Sequence, residues 1–129
     1  MRGDDPFIYL PSRLLQLARN GEPRTSLYLA DRKWLDMNML KSSHFTDPSE
    51  FLKQGGFRFG WDSTRNYEPI AKEYDSLPTR PVIDDEPQYE GIPRNEDPNI
   101  SAGRFDEVDI RNSAYHAVFS GAAGHDYTI

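Results

Sequence analysis

No cysteine occurs in the 129 residues, so disulfides, thiolate metal sites and thiol nucleophiles are excluded together. Long apolar runs are also missing: none approaches the roughly 18 residues of a membrane-spanning helix. Cationic charge is in the minority, with 15 Lys and Arg against 21 Asp and Glu and a formal net charge of −6. That balance argues against a nucleic-acid partner, because phosphate contacts draw on surplus Lys and Arg. It gives no attraction to an anionic membrane surface either. Met1 to Pro6 are charged and lack the apolar centre of a secretory signal, so none is expected there. No Gly-rich phosphate loop or Ser-centred nucleophile elbow is found.

What is present fits a folded domain. Aromatic residues make up 12% of the chain, more than disordered sequences carry. The length suits one modest domain, and no repeat or low-complexity tract divides it. Ser12 caps an expected short helix carrying Leu14, Leu15 and Ala18, which Asn20-Gly21 ends. From Glu22 to Lys33 the pattern is mixed, and no element is assigned. The apolar run Trp34 to Leu40 predicts a buried strand. Asp47-Pro48-Ser49-Glu50 reads as a capped helix start that Gly55-Gly56 soon stops. A second helix is predicted over Tyr67 to Asp75, with Ile70 and Tyr74 on one face, and a strand over Pro81 to Asp84.

A proline-rich acidic loop follows from Gln88 to about Ser101. The last helix carries an Ile110, Ala114, Val118 stripe, has Asp106, Glu107 and Asp109 near its positive end, and stops at Gly121. His125 to Ile129 reads as a closing strand. Strands alternating with helices favour a parallel α/β sheet.

In such sheets chemistry gathers at the C-terminal ends of the strands. That rule selects Asn38 to His44, Asp84 to Glu90 and His125 to Tyr127. Glu86 is the sharpest candidate, since it follows β-branched residues and Pro87 restricts the backbone beside it. Two readings stay open for it: a catalytic carboxylate, or the first acidic residue of a solvated loop. His44 and His125 read as substrate-binding groups or as local caps. Asp36, Glu86 and the histidines lack metal-ligand spacing, so no metal is expected. Trp61 and Tyr89 are sugar-stacking candidates, whereas Trp34 is expected to pack inside. Arg2-Gly3-Asp4 and Asn99-Ile100-Ser101 are short chance patterns.

These strand-end blocks resemble the apiosidase-like glycoside hydrolases, bacterial (β/α)8 enzymes often followed by a domain named for collagen binding. Trp34-Leu35-Asp36-Met37-Asn38-Met39-Leu40-Lys41-Ser42-Ser43-His44 is similar to the family's W-L-D-F-N-M-L-Q-S-G-H block at the sixth barrel strand. Pro81-Val82-Ile83-Asp84-Asp85-Glu86-Pro87-Gln88-Tyr89-Glu90 is similar to P-V-L-D-G-E-P-x-Y-E at the seventh. Val108 to Tyr115 followed by Ser120 to His125 is similar to the block entering the eighth.

The resemblance implies a partial (β/α)8 TIM barrel, its C-terminal half, over residues 34–129, with residues 1–33 a divergent preceding loop and short helix. A complete barrel takes roughly 250 residues. It implies Glu86 as a catalytic carboxylate and Asn38, His44, Tyr89, Glu90 and His125 in or around the sugar pocket. The partner acid of the family ends the fourth strand, which is not in this chain. The implied function is hydrolysis of glycosidic bonds in a complex, plant-derived polysaccharide, with no cofactor. The family setting implies a periplasmic or extracellular location. Isolated, the chain is expected to be inactive, and the missing N-terminal half-barrel is an expected partner. A non-catalytic carbohydrate-binding or assembly module and one half of a split enzyme are the alternatives. Lys41 for Gln, Ser43 for Gly and Asp85 for Gly are departures, and Lys41 and Asp85 alter the charge beside the pocket.

Overall fold

Three short runs lie side by side because two helices carry the chain back between them. In the computed structural model, which describes residues 24–42, 44–46 and 62–127, β1 (Asn38–Leu40), β2 (Val82–Asp84) and β3 (Gly124–His125) form a parallel sheet in that order. The register sets Asn38 opposite Val82, Leu40 opposite Asp84, and Asp84 opposite His125. The helices expected after Ser12 and Asp47, Trp61, and the last two residues of the closing strand lie outside the described residues.

β1 is shorter than the apolar run predicted. Asn38 N–H donates to Pro81 O at 2.8 Å, which opens the ladder. Pro81 has no N–H of its own to give, so pairing cannot continue upstream. Trp34 is consequently 45% exposed, not packed inside, and Met37 also faces out.

The segment left unassigned holds a four-residue helix, α1 (Ser26–Leu29). Arg24 bridges Leu40 in antiparallel fashion, and Thr25 N–H donates to Met39 O at 2.9 Å. Glu73 then fixes α1 from across the fold. Its carboxylate accepts from Ser26 N–H at 3.2 Å and Ser26 Oγ at 2.6 Å, and pairs with Arg24 at 3.2 Å with both side chains buried.

Glu73 belongs to α2 (Tyr67–Tyr74), which buries Pro69, Ile70 and Glu73. Tyr74, predicted to share the face of Ile70, points outward instead and lies over Gly121. α3 (Glu107–Phe119) buries Ile110, Ser113 and Ala117. Of the predicted Ile110, Ala114, Val118 stripe only Ile110 is buried: Ala114 is half-buried and Val118 is 55% exposed. Leu40, Ile70, Val82, Ala117 and Ala122 make the central apolar cluster between sheet and helices. Burying a side chain the size of Leu, Ile or Val contributes about 1.5–3 kcal/mol.

α3 is tied down at its start by a capping box. Asp106 accepts from Val108 N–H at 2.9 Å and Asp109 N–H at 3.1 Å, and Asp109 accepts from Asp106 N–H at 2.9 Å. These donors, that of Asp109 foremost, hold the Asp106 carboxyl below the ordinary Asp range. A depressed folded value contributes stability above the unfolded pKa, and the contribution is lost as pH falls through the folded value. Asp106→Asn still caps but does not titrate there. Thermal melts below about pH 4 are therefore expected to show a shallower loss of midpoint with acid in Asp106→Asn than in the wild type.

Gly121 ends α3 with φ of +102°, and a Cβ there would come within 2.6 Å of the Tyr74 ring. Gly121→Ala is expected to cost about 1–3 kcal/mol from backbone strain alone, read from urea denaturation. Adding Tyr74→Ala should recover only the steric part. Full recovery would show that φ is not the constraint.

Candidate active site

The C-terminal ends of the three strands bring their following residues to one edge of the sheet. Two bonds extend the pairing one step beyond the strands: Asp85 N–H donates to Leu40 O at 2.8 Å, and Asp126 N–H to Asp84 O at 2.9 Å. Lys41, Asp85 and Asp126 therefore stand near one another by construction of the backbone.

Asp84 is the fully buried centre of this edge. It accepts from Ser42 N–H at 3.2 Å, Ser42 Oγ at 2.8 Å and Asn66 Nδ2 at 3.2 Å. The same Asn66 amide donates to Ser113 O at 2.9 Å, which ties the entrance of α2 to α3. His125 Nδ1 lies 3.7 Å from Asp84 Oδ2, and neither ring nitrogen of His125 makes a hydrogen bond to a described residue. Buried polar atoms ordinarily do find partners. The His125 nitrogens are thus available donors and acceptors beside the strand ends.

Glu86 follows one residue beyond Asp85, its side chain 33% exposed, and its Oε2 is contacted by the ammonium of buried Lys41. Burial pulls the Lys41 amine below its usual range, with Asp85 opposing. Burial likewise pushes Asp85 up, against the pull of Lys41 and with the push of Asp126 and Asp84. Lys41 thus touches Glu86 while its field also reaches Asp85, so one ammonium serves two consecutive carboxylates.

The next residues are positioned by side chains of other segments. Gln88 Nε2 donates to Ser63 Oγ at 3.1 Å, and Ser63 opens the short 3-10 turn Ser63–Arg65. Tyr89 places its ring 5.0 Å from that of His44. His44 Nδ1 meets Glu96 Oε1 at 3.5 Å, and this contact leads the effects that lower the Glu96 carboxyl below its ordinary value. Asn95, at φ of +59°, accepts from Thr46 N–H at 2.8 Å and locks the Arg94–Glu96 turn over His44. Glu90 is exposed and accepts from Tyr127 OH at 3.0 Å.

Of the sequence-selected residues, Glu86 stands just beyond the end of β2 and His125 at the end of β3, the ring of His44 lies near that of Tyr89, and Glu90 pairs with Tyr127. Asn38 does not join them. It opens β1 instead of following it, and its Nδ2 donates to Ser76 Oγ at 3.2 Å beyond the end of α2, at the opposite end of the strands. Trp61 lies outside the described residues. Sequence reasoning included Ser42 and Asp84 in its strand-end stretches without singling them out, and passed over Asn66. An acidic residue alternating with Val82 at the end of a buried strand was the available signal for Asp84. A cavity of about 520 Å³ opens between α3 and the end of β3, lined by Ile110, Ala114, Val118, Glu90, His125 and Tyr127. Neither Glu86 nor Lys41 lines it.

A parallel α/β sheet with polar groups at its strand ends serves many chemistries, and likeness to known proteins narrows the class. The chain is similar to the crystal structure of a glycoside hydrolase family 5 protein from Bacteroides vulgatus ATCC 8482, with 35% identity and a TM-score of 0.66 over 81% of this chain and 22% of that one. A second structure, described as a glycoside hydrolase, is 29% identical with a TM-score of 0.64 over 81% of this chain and 23% of that one. The model of the family described as apiosidase-like, catalytic domain, matches residues 10–128, and the chain belongs to that family. It spans 22% and 23% of the lengths of those two solved structures. No curated protein matches it.

Proposed function

We propose that residues 34–129 supply strands six to eight of a (β/α)8 barrel, and that Glu86 is one of two carboxylates with which the completed barrel hydrolyses a glycosidic bond. The observation carrying this reading is Glu86 at the end of β2, part-exposed and contacted by a buried cation. A carboxylate so held suits attack or base catalysis better than proton donation. Glycoside hydrolysis needs a second carboxyl as well, about 5–5.5 Å away for retention or about 6.5–9.5 Å for inversion. In this reading it comes from a strand that precedes β1. His44, Tyr89, Glu90 and His125 line the sugar site, and Asn38 supports the strand from below. The substrate is a complex plant-derived polysaccharide, and the chemistry asks for no cofactor.

The test joins or mixes this chain with a polypeptide carrying the preceding strands and assays release of reducing sugar from plant polysaccharides. Turnover is expected from the completed protein. Sugar binding without turnover, in every combination, would instead favour a carbohydrate-binding module.

A further inference from the structure

We propose that Lys41 is a positioning residue for Glu86, its buried ammonium keeping that carboxylate ionised and anchored by one oxygen. The inference rests on the glycosidase reading for its consequence in catalysis, but the pair itself stands on geometry. Lys41 is buried at the end of β1, and its Nζ contacts Glu86 Oε2. The strand ends around the pair are acidic. Asp85 precedes Glu86 in the chain, and Asp84 and Asp126 act on Asp85, with Lys41 opposing them. An ammonium in direct contact with a carboxylate favours its ionised form.

The position is also where this chain departs from the apiosidase-like pattern, which carries a neutral Gln. An amide can donate a hydrogen bond to Glu86 but cannot supply charge. Asp85, a second departure, adds an acid beside the same ammonium. The two changes compensate in charge, one cation gained against one carboxylate gained.

The experiment is a carbon-detected NMR titration of the side-chain carboxyls and lysine Cε in the full chain, with Glu86→Gln assigning the Glu86 signal. Glu86 is expected to titrate below the ordinary Glu value, and Lys41→Gln to raise its midpoint by about one unit or more. Lys41→Arg, which keeps the charge, should leave it low. Reciprocally, Glu86→Gln should move the Lys41 titration further down. That arm leaves Lys41 in place and decides the matter should Lys41→Gln fail to give a folded amide spectrum. An unchanged Glu86 midpoint in folded Lys41→Gln, or a Lys41 titration indifferent to Glu86→Gln, would overturn the proposal.

In the completed enzyme, the acid limb of the kcat/KM profile should move to higher pH in Lys41→Gln and return in Lys41→Arg. Expected titrations with no turnover on any sugar would sink the glycosidase reading and leave the pair standing. Turnover that Lys41→Gln leaves with an unchanged acid limb would do the reverse.

Discussion

Glu86→Gln is expected to lower glycosidase turnover of the completed barrel by on the order of 10²–10⁴-fold, the range for losing a positioned catalytic proton-transfer group. Gln keeps the shape and the hydrogen-bonding oxygen, so the loss reports charge and basicity. The fall should appear in kcat more than in KM, because a group acting in the transition state contributes little to ground-state binding. Glu68→Gln is the internal control. Glu68 is exposed on α2 and pairs with Arg65, so little change is expected there. Both variants should be measured on an activated aryl glycoside and on polysaccharide. Wild-type turnover in Glu86→Gln would remove Glu86 from the mechanism, whatever its position at the strand end.

The largest stability effect is expected far from that edge. Glu73→Ala should cost about 3–5 kcal/mol, the range for breaking a buried ion pair by deleting one partner. Arg24 and Glu73 are both buried, and the same carboxylate also accepts from Ser26 N–H and Oγ at the head of α1. Deleting it removes one acceptor from the Arg24 guanidinium and the acceptor of both Ser26 donors at one stroke. Since domains are stable by only about 5–15 kcal/mol, the variant should unfold at a clearly lower urea concentration. Replacing both partners with apolar side chains, Arg24→Met with Glu73→Leu, is expected to recover most of the loss. A cost below about 1 kcal/mol, the exposed-pair range, would mean that water reaches this pair.

These effects also mark what the sequence could and could not disclose. Alternation of strand and helix patterns led directly to a parallel sheet, because pairing strands in that sense demands a crossover helix between them. Val82-Ile83-Asp84 announced its strand through β-branched residues, and Asp106 with Asp109 announced the head of α3. Faces were harder to read. Tyr74 and Val118 fitted apolar stripes by spacing, yet α2 and α3 turn other residues to the core, including polar Glu73 and Ser113. Apolar periodicity cannot see a buried carboxylate, whose partner Arg24 lies 49 residues away in sequence. Glu86 and His125 do stand at the C-terminal ends of β2 and β3, whereas Asn38 opens β1, which is shorter than expected because of the proline opposite. Lys41 was visible only as a departure in charge. Its contact with Glu86 depends on the β1–β2 register, which local sequence does not specify.

β3 bonds to β2 on one side, and no described residue pairs with its other side. Among the described residues its outward N–H and C=O groups form an open edge, of the kind that barrels abolish by closing on themselves. In the barrel proposed above that margin would be covered; where nothing covers it, it is adhesive, able to recruit a strand from any extended peptide or from another copy of the chain. Solubility of the isolated chain is thus a matter of what comes to rest against Gly124 and His125, as much as of its surface charge.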